Sequence, residues 1–98
     1  NADLCGARLR KANLHKADLR KAKLRKADLI ASDLRKANLH GADLRKVNLG
    51  CANLSGADLR KSRLTKANVS RADMHGTDLR KANVRGTDLK SAKGVSNT

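Results

Sequence analysis

The sequence contains no phenylalanine, tryptophan, tyrosine, proline or glutamate. A globular core of 98 residues normally uses aromatic rings to fill irregular space, so their absence argues for a core of small, identical layers. No apolar run exceeds three residues, which leaves no transmembrane helix and no signal-peptide core. The two cysteines, Cys5 and Cys51, follow no metal-ligand or C-x-x-C spacing. They read as free thiols and point to a reducing, intracellular compartment, cytoplasm or organelle interior. Acidic residues are scarce: nine, all Asp, against 23 Lys and Arg, for a net charge of +14. Such a surface repels itself and attracts polyanions.

What is present is a period of five. An apolar residue stands at every fifth position from Leu4 to Leu89, eighteen times without a break; the centres other than Leu are Val69, Met74 and Val84. Two residues before each centre stands a small residue, usually Ala, otherwise Ser32, Val47, Ser62, Thr77 or Thr87. The residue just before the centre is Asp or Asn except at Arg8, Lys23 and Arg63. A five-residue step advances about 500° around an α-helix, so the centres would form no stripe. On a straight strand an odd step alternates faces. All the centres point inward only if the chain bends once per unit. Asp and Asn suit that bend as acceptors for nearby backbone N–H groups. Gly6, Gly41, Gly50, Gly56, Gly76 and Gly86 lie just past centres, where a corner calls for positive φ.

The units ADLRK (17–21, 42–46, 57–61), ANLHG (37–41) and ANLSG (52–56) resemble the pentapeptide-repeat family, and the likeness runs over residues 2–91. The resemblance implies an all-β fold, a right-handed quadrilateral β-helix with four units and twenty residues per coil. On that scheme residues 1–91 form one solenoid of about four and a half coils, and residues 92–98 form a frayed tail. Some family members imitate duplex DNA and bind DNA gyrase. That mimicry needs an acidic exterior, so the resemblance extends to the solenoid and not to this activity.

With twenty residues per coil, residues twenty apart form columns. Face one holds the units centred on Leu4, Leu24, Leu44, Leu64 and Val84, and faces two, three and four follow in chain order. Face four carries Arg20, His40, Arg60 and Arg80 in one column, with Lys21, Lys61 and Lys81 beside it. Face one carries Arg25, Arg45 and Arg85, with Lys26, Lys46 and Lys66 beside them. The shared edge forms a basic corner, and its candidate anion-binding residues are Arg20, Lys21, Arg25, Lys26, Arg45, Lys46, Arg60, Lys61, Arg80 and Lys81. The column Asp3, Lys23, Asp43, Arg63, Asn83 alternates in sign and reads as a surface ion-pair ladder, with Arg8 over Asp28 as a parallel case. Face two has a neutral window around Ile30, Ala31, Gly50 and Cys51, a second candidate docking spot.

No constellation points to catalysis. His15 and His75 share a column but lie three coils apart, His40 is in the neighbouring column flanked by Arg20 and Arg60, Ser, His and Asp lie on a convex surface without a water-excluding pocket, and each Gly is isolated in its own repeat. The expected role is a non-enzymatic scaffold or adaptor that docks on a larger assembly, with an acidic protein surface or RNA as partner and no cofactor, metal or small-molecule substrate. The absence of aromatics disfavours base stacking and leaves backbone contact as the route to RNA. Uncapped β ends also leave room for end-to-end self-association.

Overall fold

The computed structural model describes residues 2–96. Within each five-residue unit the carbonyl of the centre accepts the N–H of the residue three positions on, as Ala7 does to Leu4 at 3.0 Å and Ala57 to Leu54 at 2.9 Å. The third residue of this turn has positive φ, +70° at Gly41 and +58° at Lys46, while the second does not. Negative then positive φ is the signature of a type II turn. The corner therefore sits two residues past each centre. Gly50, one residue past Leu49, lies outside the corner and lacks positive φ, contrary to the sequence expectation.

Adjacent coils are joined at twenty-residue spacing. Asp3 bridges Lys23, Lys23 bridges Asp43, Asp43 bridges Arg63 and Arg63 bridges Asn83, all in parallel register. Each unit contributes a repeating set of backbone bonds: Leu4 N–H to the Lys23 carbonyl at 2.7 Å, Gly6 N–H to Arg25 at 2.9 Å, and Lys23 N–H back to Ala2 at 2.8 Å. Corners so close together leave room for one bridged residue per side, so the β structure consists of isolated bridges instead of long strands.

The centres and the small residues two before them face the axis. Leu24, Leu34, Leu44, Leu54 and Leu59 are fully buried, and so are Ala22, Ala42, Val47 and Ala52 within 1 %. Each buried Leu contributes about 1.5–3 kcal/mol of apolar transfer energy. Ser62 keeps its inward hydroxyl bonded to the Leu59 carbonyl at 2.7 Å, and Thr77 bonds the Leu54 carbonyl of the preceding coil at 2.7 Å. Ser32 is equally buried but its hydroxyl has no partner. At the two ends Leu4, Leu9, Leu14, Leu79, Val84 and Leu89 are only partly covered. The solenoid is a block of 30 × 24 × 23 Å, scarcely longer than wide.

Residue 91 is not a break. A short 3-10 turn, Leu89–Ser91, follows the Asp88 cap, and Arg71 N–H then reaches the Ser91 carbonyl at 2.8 Å. Lys93 bridges Asp73, and Val95 packs against the core. The segment expected to fray thus continues the coil through Lys93; its last residues, 97–98, lie outside the described part, as does residue 1. The reason is that the bridged residue contributes backbone groups only, so the ladder does not need an apolar centre at residue 94.

Candidate anion-binding surface

The Asp or Asn before each centre has one recurring job. Its Oδ1 accepts the N–H of the residue two positions on, as in Asp18 to Arg20 at 3.2 Å, Asn38 to His40 at 3.1 Å and Asn53 to Ser55 at 3.0 Å. These Asx turns brace the chain just before each corner. Because residues two apart on an extended segment point the same way, the side chains before and after the centre stand together on the outer face.

Where the triplet Asp-Leu-Arg occurs, that neighbourhood becomes a forked ion pair. Arg20 grips Asp18 through Nε at 2.8 Å and Nη2 at 2.7 Å, and Arg35–Asp33, Arg45–Asp43, Arg60–Asp58 and Arg80–Asp78 repeat the geometry. The guanidinium bond, with the backbone N–H behind it, lowers Asp18, Asp33 and Asp78 from 3.8 to about 2. Asp43 and Asp58 are lowered by the same Arg partners. The signal for these forks in the sequence is the Asp-Leu-Arg spacing, which sets the two side chains on one outer face.

Lysine behaves differently. Lys21, Lys26, Lys46, Lys61, Lys66 and Lys81 all occupy corner positions in the left-handed region, at φ between 58° and 62°. The stem of Lys21 lies across the next corner, with Cγ 3.4 Å from where a Cβ on Gly41 would be; Lys36 over Gly56 repeats this. Among the described residues these ammonium groups form no ion pair.

The ten residues expected at one basic corner run along two edges of face one: Arg20, Lys21, Arg60, Lys61, Arg80 and Lys81 at the turn from face four, and Arg25, Lys26, Arg45 and Lys46 at the turn into face two, because each corner lies two residues past its own centre. They fall into two kinds. Arg20, Arg45, Arg60 and Arg80 are clamped by Asp, whereas Arg25, Lys21, Lys26, Lys46, Lys61 and Lys81 are unpaired among the described residues. All ten are exposed apart from Arg45, which is half-buried. A shallow open depression lined by Asp18, Arg20, Lys21 and His40 lies on face four. The alternating column does not form contact ion pairs. Asp43 turns to Arg45 in its own unit, and Asp28 is reached by Arg10 at 2.9 Å instead of by Arg8. The fork wins because it uses two parallel N–H donors and a backbone N–H already held in place. The neutral window is less open than its sequence suggested. Ile30 is half-buried and Gly50 buried, while Ala31 and Cys51 are exposed corner residues. His75 bonds Asp73 at 2.6 Å, and no group of three metal-ligating side chains occurs among the described residues. Cys5 and Cys51 are free. No helix of the described residues is long and apolar enough to cross a membrane.

Comparisons with known proteins agree with this architecture. The family described as pentapeptide repeats matches residues 1–25, 12–50, 22–60 and 52–90. The solved structure of Rfr23, a pentapeptide repeat protein from the cyanobacterium Cyanothece 51142, superposes with a TM-score of 0.89 at 35 % identity, over 95 % of this chain and 64 % of that one. A pentapeptide repeat protein of the Arabidopsis thaliana thylakoid lumen gives 0.70 at 31 % identity, over 99 % and 81 %. A third, from Nostoc PCC 7120, gives 0.52 at 36 % identity, over 82 % and 62 %. The chain thus spans less than two thirds of the length of Rfr23. No curated protein sequence matches. The likeness implies the right-handed quadrilateral β-helix of these proteins for the twenty-residue coil.

Proposed function

We propose that this chain, which belongs to the pentapeptide-repeat family, is a non-enzymatic docking module that attaches to a larger assembly through its basic surface. The observation that carries this reading is the division of labour between the two kinds of cation. Asp clamps Arg10, Arg20, Arg35, Arg45, Arg60 and Arg80, and these serve the fold, while the corner lysines are held in a backbone conformation that L-residues disfavour and, like Arg25 and Arg85, have no acidic partner among the described residues. Charge placed this way adds repulsion to the free protein and becomes favourable only beside an anion. The depressions around Arg20 and His40 and around His15 and Arg35 are shallow and open, which supports a binding role over catalysis. The basic exterior also speaks against imitation of DNA.

The test is a comparison of two variants in capture of partners from source cells. Replacing Lys21, Lys26, Lys46 and Lys61 with Asn, which tolerates left-handed corners, keeps the fold and releases the partner. Ile30→Asp, in the half-buried window of face two, leaves it bound. The opposite pattern makes the lysines a solubilising coat and moves the docking site to face two.

A further inference from the structure

Fifteen of the eighteen units close an Asx turn, from Cys5 N–H on Asp3 to Lys90 N–H on Asp88. Three units do not, because Arg8, Lys23 and Arg63 carry no acceptor oxygen. Two of those three, Lys23 and Arg63, share one column of face one. The sequence offers a structural reason, the alternating ladder with Asp3 and Asp43, but the structure leaves only a through-space pull, in which Lys23 on Asp3 and Arg63 on Asp43 are the smallest of the effects that lower each carboxyl. Neither cation contacts an acid, and Asp43 is engaged by Arg45 at 2.6 Å. The chain therefore forgoes a backbone hydrogen bond twice on the same face for cations that form no ion pair in return.

Those two cations change the character of face one. Together with Arg25, Arg45, Arg85 and the corner lysines Lys26, Lys46 and Lys66, the face carries eight basic side chains against two acidic ones, Asp3 and Asp43. Face four carries six against three. The excess of positive charge thus centres on face one and not on its edge with face four. The face is a stack of parallel bridges, about 4.8 Å apart, with outward columns about 6.6 Å apart along the chain. No large apolar side chain is exposed anywhere among the described residues.

We infer that face one binds the phosphate backbone of a nucleic-acid duplex, without reading sequence. The inference rests on the docking reading above and names its partner. A specific protein partner needs an apolar interface core, and this face has none to offer. A single strand is held by aromatic stacking, and the chain has no aromatic residue. A duplex keeps its bases stacked on each other and presents closely spaced phosphates, so charge alone suffices through counterion release. Lys23 and Arg63 stand at the centre of the face, where such a backbone crosses.

The test restores what those positions gave up. In Lys23→Asn/Arg63→Asn the Asx acceptor returns and two cations leave. Binding to a short mixed-sequence RNA duplex is followed by fluorescence anisotropy across a salt series, with thermal melts alongside. The expected result is a log–log salt slope smaller by about two, since each phosphate contact contributes about one, and a Tm at or above that of the parent. Arg8→Asn on face two is the control, raising Tm and leaving the slope unchanged. A lowered Tm with an unchanged slope makes Lys23 and Arg63 structural and overturns the inference. If the parent ignores the duplex at low salt yet binds phosphatidylserine vesicles or polyglutamate, the partner class is wrong while the docking reading stands. If it binds none of the three, both fail.

Discussion

Two buried serines with opposite bonding give a test of the interior that depends on sign. Ser32 and Ser62 both replace the usual inward Ala, and both are 1 % exposed. Ser62 donates to the Leu59 carbonyl at 2.7 Å, whereas the Ser32 hydroxyl has no partner. An unsatisfied buried hydroxyl costs about 1–3 kcal/mol, and a satisfied one contributes about 0.5–1.5 kcal/mol net. Ala12 and Ala52 occupy the same inward position in the coils on either side of Ser32, so the column already accommodates alanine. Ser32→Ala is therefore expected to stabilise and Ser62→Ala to destabilise. In a domain of this size 1 kcal/mol shifts Tm by about 4–8 °C. Melts followed by far-UV circular dichroism should show Ser32→Ala rising by at least about 4 °C and Ser62→Ala falling by a few degrees. A fall of equal size in both would refute the reasoning, because Ser32 would then be bonding the Leu29 carbonyl in solution as Ser62 bonds Leu59.

Three further outcomes follow from the same geometry. Leu54→Ala, in a fully buried central layer, should cost about 2–5 kcal/mol in urea unfolding; a loss below about 1 kcal/mol would mean that the layers do not pack as described. At the Lys46 corner, where φ is +58°, Lys46→Ile should cost roughly 1–2 kcal/mol beyond Lys46→Asn, since a branched side chain fits the left-handed region poorly; equal Tm values for the two would place the corner elsewhere. Asp18, Asp33 and Asp78 have folded pKa values of about 2, below the 3.8 of a free Asp. Their contribution is accordingly complete above that value and is lost as pH falls toward 2, so an acid titration by circular dichroism should hold its signal down to about pH 4 and decline below it. A transition centred near neutral pH would contradict this.

The register of the solenoid was legible because one residue type marks each inward position. Leu at every fifth place and Ala two before it allow a single orientation, and Leu34, Leu54 and Leu59 are buried as that orientation requires. The Asx turns were legible too, since Asp and Asn have few other uses before a corner. The corner conformation was only half legible. Glycine announced positive φ at Gly6, Gly41, Gly56, Gly76 and Gly86, but the same conformation at twelve non-glycine residues, most of them Lys, has no propensity signal. The turn bond and the bonds to the next coil hold those lysines there against an unfavourable backbone. Charge was the least legible property. A column read along the sequence suggested partners twenty residues apart, whereas the fork between Asp and the Arg two residues on is shorter and two-pronged. Which cations remain available to an outside partner depends on that competition, and composition does not express it.

The central claim is that unpaired surface charge holds the partner. Its most direct measurement is retention of the captured partner on the immobilised, unmodified chain as salt is raised. Charge-held docking predicts progressive release as the ionic strength climbs past the physiological range, where the screening length has fallen to about 8 Å and shrinks further toward 3 Å at 1 M. A partner that stays bound through 1 M salt, about the point at which exposed charges no longer act beyond contact, would contradict the account.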